Sequence, residues 1–195
     1  NELSQGNSIK QCDLNQDQLD LISSFQFITL KKQCFVANVA EDSLGTDNEY
    51  VKQLKKFAAD HNEDVIVISA ALEQECSLLS GDEKKEFLSE LGITYSGLDQ
   101  LCLVCYSLLD LQTYLTTGPK ETRAWTIKKG FTAPEAAGVI HTDFQNGFIR
   151  ANVIHYDDFV SCGGFKSAKE KGLLRQEGKD YVMQDGDVVE FLFNV

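Results

Sequence analysis

The sequence contains no run of about 18 apolar residues, the length a membrane-crossing helix needs. Asn1 to Lys10 is polar and holds no apolar stretch of the kind a secretory leader carries. The sequence begins with Asn rather than Met, so the expectation is a processed, trimmed or incomplete chain with residues missing upstream. Positive charge is scarce: 18 Lys and Arg stand against 30 Asp and Glu, a net charge of -12. That balance argues against a generic nucleic-acid binder and against DNA as a partner. The six cysteines (12, 34, 76, 102, 105 and 162) are too dispersed over 195 residues for a disulfide framework. Their apolar neighbours imply buried, reduced thiols in a cytoplasmic protein. There is no Gly-x-x-x-x-Gly-Lys-Ser/Thr phosphate loop, no internal repeat and no low-complexity segment.

What is present suffices for a folded core: 43% of residues are hydrophobic and 25% charged. The length fits one large domain or two small ones. Charge is unevenly placed. Residues 1–110 carry 8 Lys and 19 Asp or Glu, whereas residues 111–195 carry 10 Lys or Arg and 11 Asp or Glu. All three arginines, Arg123, Arg150 and Arg175, fall in the second part. The step predicts two domains, 1–110 and 111–195, with different partners.

Residues 1–15 read as loop, and Gln16 to Phe25 as a short amphipathic helix. Cys34-Phe-Val-Ala-Asn38 is a compact apolar strand. Tyr50 to His61 places Val51, Leu54, Phe57 and Ala58 on one helical face. Val65-Ile-Val-Ile-Ser69 has the continuous β-branched character of a strand in a parallel sheet. Three helices follow, Ala71 to Leu79, Asp82 to Leu91 with Asp82 as N-cap, and Leu98 to Leu109. This is α/β grammar, yet two strands alone make no stable doubly wound sheet. The others lie upstream or come from elsewhere in the chain.

Beyond 110 the pattern becomes α+β. Leu111 to Thr117 and Arg123 to Ile127 flank a Gly118-Pro119 turn, and Thr132-x-x-Glu135 is a capping box opening a helix. Phe148 to Ile154 is a strand. Tyr181 to Met183 and Val188 to Phe193 are expected to form a hairpin around Asp185-Gly186. The layout resembles a β-grasp, ubiquitin-like module.

In open α/β sheets ligands bind beyond the carboxyl ends of strands. Asn38-Val39-Ala40-Glu41 follows such an end. GTPases carry Asn-Lys-x-Asp there, and the Asp accepts from guanine N1–H and its 2-amino group. Val39 and Glu41 replace the Lys and the Asp, while Asn38 still offers a donor and an acceptor to a purine edge. Ser69-Ala70-Ala71 is a small-residue loop at the end of the next strand, able to bring backbone N–H groups near a base. The plainer reading is that Asn38 and Glu41 satisfy loop backbone and that Ser69 caps a helix. Asp42-x-x-Gly45 matches a magnesium-site pattern by letters, but at the wrong place in the chain. Without a phosphate cradle or Mg²⁺ site, no nucleotide hydrolysis is expected of this chain alone.

Cys102-x-x-Cys105 lacks a second Cys/His pair at zinc spacing and reads as structural thiols. His141 and Asp143 read as a hydrogen-bonded helix terminus, and His61 and His155 as surface residues. Lys166, Lys169, Lys171 and Arg175 form the only stretch basic enough to suggest contact with a phosphate backbone.

Arg123-Ala-Trp-Thr-Ile127, Thr132-Ala-Pro-Glu-Ala-Ala-Gly138, Ile140-His-Thr-Asp-Phe144, Gly147-Phe148, Glu177-Gly-Lys-Asp-Tyr181, Asp185-Gly-Asp187 and Phe193-Asn194-Val195 closely resemble the C-terminal TGS domain of the YchF family, the Obg-like ATPases. Upstream, Asn38-Val39-Ala40-Glu41 resembles the family's Asn-x-x-Glu base-recognition motif, which accompanies a preference for ATP over GTP. Ser69-Ala70 resembles the fifth G-motif, and residues 72–110 the acidic helical tail of the G domain. Thr29-Leu30-Lys31-Lys32-Gln33 departs from the family's Leu-Thr-x-Lys-Pro in lacking the proline.

The resemblance implies a partial P-loop NTPase-type α/β G domain in 1–110, followed by a β-grasp TGS domain in 111–195. It implies base recognition by Asn38 and Glu41, packing by Val39, and backbone groups from Ser69 and Ala70. It implies ATP and Mg²⁺ for a longer parent, a ribosomal partner, and weak ATP binding by this chain alone. Two other readings stay open: a TGS-type RNA or protein interaction module with no nucleotide role, and a GTP-binding protein.

Overall fold

The computed structural model describes residues 3–6, 8–118 and 121–194. Asn1, Pro119 of the expected turn and Val195 of the terminal motif lie outside the described residues. The chain divides into two compact units, Asn1–Val104 and Cys105–Val195.

In the first unit, 3-10 turns at Leu3–Gln5 and Ile9–Gln11 precede α1 (Gln16–Ser23). Asn15 caps α1, accepting from Gln18 N–H while the Gln18 side chain accepts from Asn15 N–H. Strand β1 (Cys34–Asn38) and strand β2 (Asp64–Ile68) pair in parallel, with Cys34 opposite Asp64 and Asn38 opposite Ile68. Between them α2 (Glu49–Asp60) buries Val51 and Ala58, and its Phe57 meets the Phe35 ring edge-on at 5.9 Å. Among the described residues this sheet has two strands.

Three helices follow β2: α3 (Ala70–Cys76), α4 (Gly81–Glu90) and α5 (Gly97–Leu108). Leu72, Cys76 and Leu88 form a small core with Leu44, Phe87 and Ile93 around it. Asp82 does not cap α4. Ser80 does, because Glu83 reaches back to both its N–H and its hydroxyl, a Ser-x-x-Glu capping box. These bonds hold the Glu83 carboxyl below its ordinary pKa. The expected burial of thiols is also corrected. All six cysteines are free, but Cys76 alone is buried; Cys102 is exposed because it shares an outward face of α5 with exposed Leu98, four residues earlier.

The second unit is a five-stranded mixed sheet in the order β4-β3-β7-β5-β6, made of β3 (Leu111–Thr117), β4 (Thr122–Lys128), β5 (Phe148–His155), β6 (Arg175–Glu177) and β7 (Asp187–Phe193). Helix α6 (Ala133–Ile140) opens on the expected Thr132–Glu135 capping box. It packs Ala133, Ala136 and Ala137 onto Tyr114, Ile127, Phe148, Val153 and Val189. Tyr114, fully buried, donates its hydroxyl to Ala136 O at 2.9 Å. Val188, adjacent to Val189, faces the other way. There Ile154, Val188 and Leu115 are covered by Phe159 of α8 (Tyr156–Cys162) and by Phe165 and Ala168 of α9 (Phe165–Glu170). The short helix α7 (Thr142–Asn146) stacks Phe144 on Phe193, ring centroids 3.8 Å apart.

The expected hairpin at Asp185-Gly186 is absent. Strand β7 pairs with β5 antiparallel and meets β3 in parallel, while Val182 makes a lone bridge to Thr132. Asp185 instead accepts from Thr113 N–H at 2.8 Å, and Gly186 donates to Thr113 O at 2.8 Å. Asp187, 1% exposed, accepts from the Tyr181 hydroxyl and from Gln184 N–H.

Candidate functional site

The parallel pairing sets the carboxyl ends of β1 and β2 side by side, so the two loops singled out by sequence meet. Val39 N–H donates to Ile68 O at 2.8 Å and extends the ladder past the strand end. Asn38 Oδ1 then accepts from Ala70 N–H at 3.0 Å. This bond ties the two loops together and engages the Ala70 N–H and one acceptor site of Asn38. The Asn38 Nδ2 donors remain, on an exposed side chain.

Glu41 begins a 3-10 turn at Glu41–Ser43, closed by Leu44 N–H donating to Glu41 O. Its carboxylate is exposed and makes no hydrogen bond among the described residues. Val39 is half-buried between Asn38 and Ala40. Ser69, 2% exposed, caps α3 by accepting from Leu72 N–H at 3.5 Å, so its side chain has the plainer role anticipated for it.

Beside these loops lies a cavity of about 360 Å³ lined by Glu41, Ser69, Leu72, Ile93, Tyr95 and Gln100, among others. Its walls are about as polar as apolar, and they include Glu41 and Ser69 but not Asn38, Val39 or Ala70. The loop at 92–97 was missed by sequence reasoning. Its signal was Gly92 and Gly97 flanking the four residues Ile93-Thr-Tyr-Ser96 between two helical patterns. Ser96, 1% exposed, donates to Asp99 Oδ2 at 2.9 Å and accepts from Lys84 Nζ at 3.3 Å. The Ser96 bond holds the Asp99 carboxyl below its usual range, with Lys84 assisting.

His141 Nδ1 accepts from Asp143 N–H at 3.1 Å at the start of α7. His61 stacks on Phe57 at 4.3 Å. Arg175 donates to the Tyr181 hydroxyl at 3.2 Å, while Lys166, Lys169 and Lys171 are exposed. No group of three or more metal-ligating side chains converges among the described residues. No described helix is long and apolar enough to cross a membrane.

Residues 111–194 match the family described as YchF-GTPase_C, protein of unknown function (DUF933). The "Ribosome-binding ATPase YchF" of Bacillus subtilis is 50% identical over 185 residues, 94% of this chain and 50% of that protein. The protein of the same name from Escherichia coli O157:H7 is 45% identical over 194 residues, 100% of this chain and 53% of that protein. Residues 111–194 thus carry a YchF-family domain, and the chain as a whole is similar to YchF proteins. Its fold agrees with that of the Schizosaccharomyces pombe YchF GTPase, at TM-score 0.82 and 30% identity, covering 97% of this chain and 50% of that one. A GTP binding protein from Pyrococcus horikoshii shares the fold, at TM-score 0.60 and 21% identity, covering 99% of this chain and 55% of that one. The chain spans about half the length of the curated YchF relatives it matches.

Proposed function

We propose that the first unit carries the base-reading side of a YchF-type, P-loop NTPase-like G domain, and that residues 111–195 are a β-grasp TGS interaction module. The observation that carries the nucleotide reading is the Asn38–Ala70 bond. It joins the two loops at the carboxyl rim of parallel strands, beside a cavity that Glu41 and Ser69 help to line. Asn38 Nδ2 then donates to purine N7, and Glu41 accepts from a 6-amino group. Val39 packs on the ring, and Ser69 and Ala70 form the wall of the turn. Guanine carries a 6-oxo group, an acceptor that would face the Glu41 carboxylate, so the arrangement favours adenine.

ATP and Mg²⁺ would be used by a longer protein. The residues described here offer neither a phosphate loop nor a converging carboxylate set, and no hydrolytic step is assigned to them. ATP binding by this chain alone is therefore weak, because phosphate contacts supply much of the affinity for a nucleotide. Relatives of the same family are named ribosome-binding. The proposed partner of the second unit is the ribosome, in the cytoplasm.

Amide spectra of ¹⁵N-labelled chain titrated with adenosine and with guanosine test the base reading. The expected result is millimolar adenosine binding with shifts confined to 38–41 and 69–71, and calorimetry with ATP showing no micromolar site. Shifts elsewhere only, or a guanosine preference, would sink it.

A further inference from the structure

The turn between β2 and α3 is anchored twice. Asn38 holds it from the β1 side. On the other side Glu73, within the first turn of α3, accepts through Oε1 from Gly97 N–H at 2.6 Å. Gly97 opens α5, so its N–H is one of the donors a helix start leaves without an intrahelical partner. A carboxylate at that end also meets the positive pole of the helix.

The contact requires glycine. A Cβ at 97 would stand 2.5 Å from Ile68 Cγ2 and 3.1 Å from Glu73 Oε1. Ile68 is the last residue of β2 and directly precedes Ser69. Glu73 thus draws the Gly97 backbone onto the residue from which the base-reading turn departs. The Ser96–Asp99–Lys84 bonds hold the rest of that loop. The approach of Gly97 to Ile68 is therefore set by a fixed segment and one carboxylate.

We propose that Glu73 is a positioning residue for base recognition: it fixes the end of β2 and the Ser69–Ala70 turn, and through Ala70 N–H the angle of the Asn38 amide. The proposal rests on the base-reading function given above. When Glu73 cannot reach Gly97, the turn keeps one anchor, and Asn38 meets the base at a wrong angle. Discrimination between purines then falls, because it depends on which edge groups face Asn38 and Glu41.

The experiment is the adenosine and guanosine titration of the 195-residue chain, repeated on three variants with thermal melting beside it. Glu73→Ala should weaken adenosine binding about fivefold and bring the adenosine-to-guanosine ratio toward unity. Glu73→Asp keeps the charge but shortens the reach. It should behave alike, and it decides the matter if the alanine variant does not fold. Glu73→Gln retains the acceptor and should stay within about twofold of wild type. A purely structural role would lower melting temperatures and leave the ratio unchanged in Glu73→Asp, and that outcome overturns the proposal. Absence of shifts at 38–41 in the wild type is a different failure. It removes the base-reading function, and Glu73's role with it.

Discussion

Replacing Gly147 by alanine should damage the second unit severely, through a steric conflict that no rotamer can relieve. Gly147 has φ -91° and ψ 9°, which any residue can adopt, so backbone strain is not the cause. The conflict is with main chain. The new Cβ would fall well inside contact distance of the Asn194 carbonyl oxygen and 2.8 Å from its carbon. Asn194 N–H donates to Gly147 O at 2.9 Å, and Phe193 is stacked on Phe144 just before it. Overpacking costs about 1–3 kcal/mol, and the lost hydrogen bond about 1 kcal/mol. Reduced freedom of the unfolded chain offsets about 0.5–1 kcal/mol. The net loss is about 1–3.5 kcal/mol, or roughly 5–25 °C in melting temperature for a unit of this size. Trp125, the single tryptophan, packs against this core, so urea unfolding followed by its fluorescence reads the unit directly. Gly178→Ala, where a Cβ meets open space, is the control, with a change within about 0.5 kcal/mol. Equal stability of the two variants would refute the steric reasoning.

Burial, aided by the hydrogen bond to Asp187, pushes Tyr181 up to about 12. The unfolded phenol ionises near ~10. Stability from this group is therefore complete below about pH 10 and is lost as pH rises from about 10 to 12, by about 1 kcal/mol after allowing for solvent screening. Urea midpoints across that range should fall for wild type and fall less for Tyr181→Phe. Tyr114→Phe removes the buried bond to Ala136 O and should cost about 1 kcal/mol by the same fluorescence assay. Thr132→Ala breaks the capping box of α6 and should also cost about 1 kcal/mol. Asn38→Ala should raise hydrogen exchange at the Ala70 amide about tenfold while leaving β5 amides unchanged.

The elements most legible in the sequence were those with local signals. The β-branched run of β2 announced a parallel strand, and Thr132-x-x-Glu135 announced the start of α6. The Ser80-Gly-Asp-Glu83 box carried equally good information and displaced Asp82 as the cap. What sequence could not show was partner choice. The apolar run of Val188 to Phe193, broken only by Glu190, is as compatible with a hairpin as with the observed insertion between β3 and β5. The bonds of Asp185 and Gly186 to Thr113, more than 70 positions away, tie the turn to β3 instead. Helices α8 and α9 escaped notice because each is short and closes around two glycines, Gly163 and Gly164. At the candidate site, the meeting of the two loops followed from strand order. The engagement of Ala70 N–H by Asn38 and the Glu73–Gly97 contact are tertiary, and no spacing rule reveals them.

The most direct measurement is purine preference after exchanging the two residues that set the base-reading edge. With Val39→Lys and Glu41→Asp together, the titrated chain should lose its preference for adenosine and gain one for guanosine, because the shorter carboxylate now faces guanine N1–H and its 2-amino group. An adenosine preference that survives both substitutions would mean that Asn38, Val39 and Glu41 do not read the base.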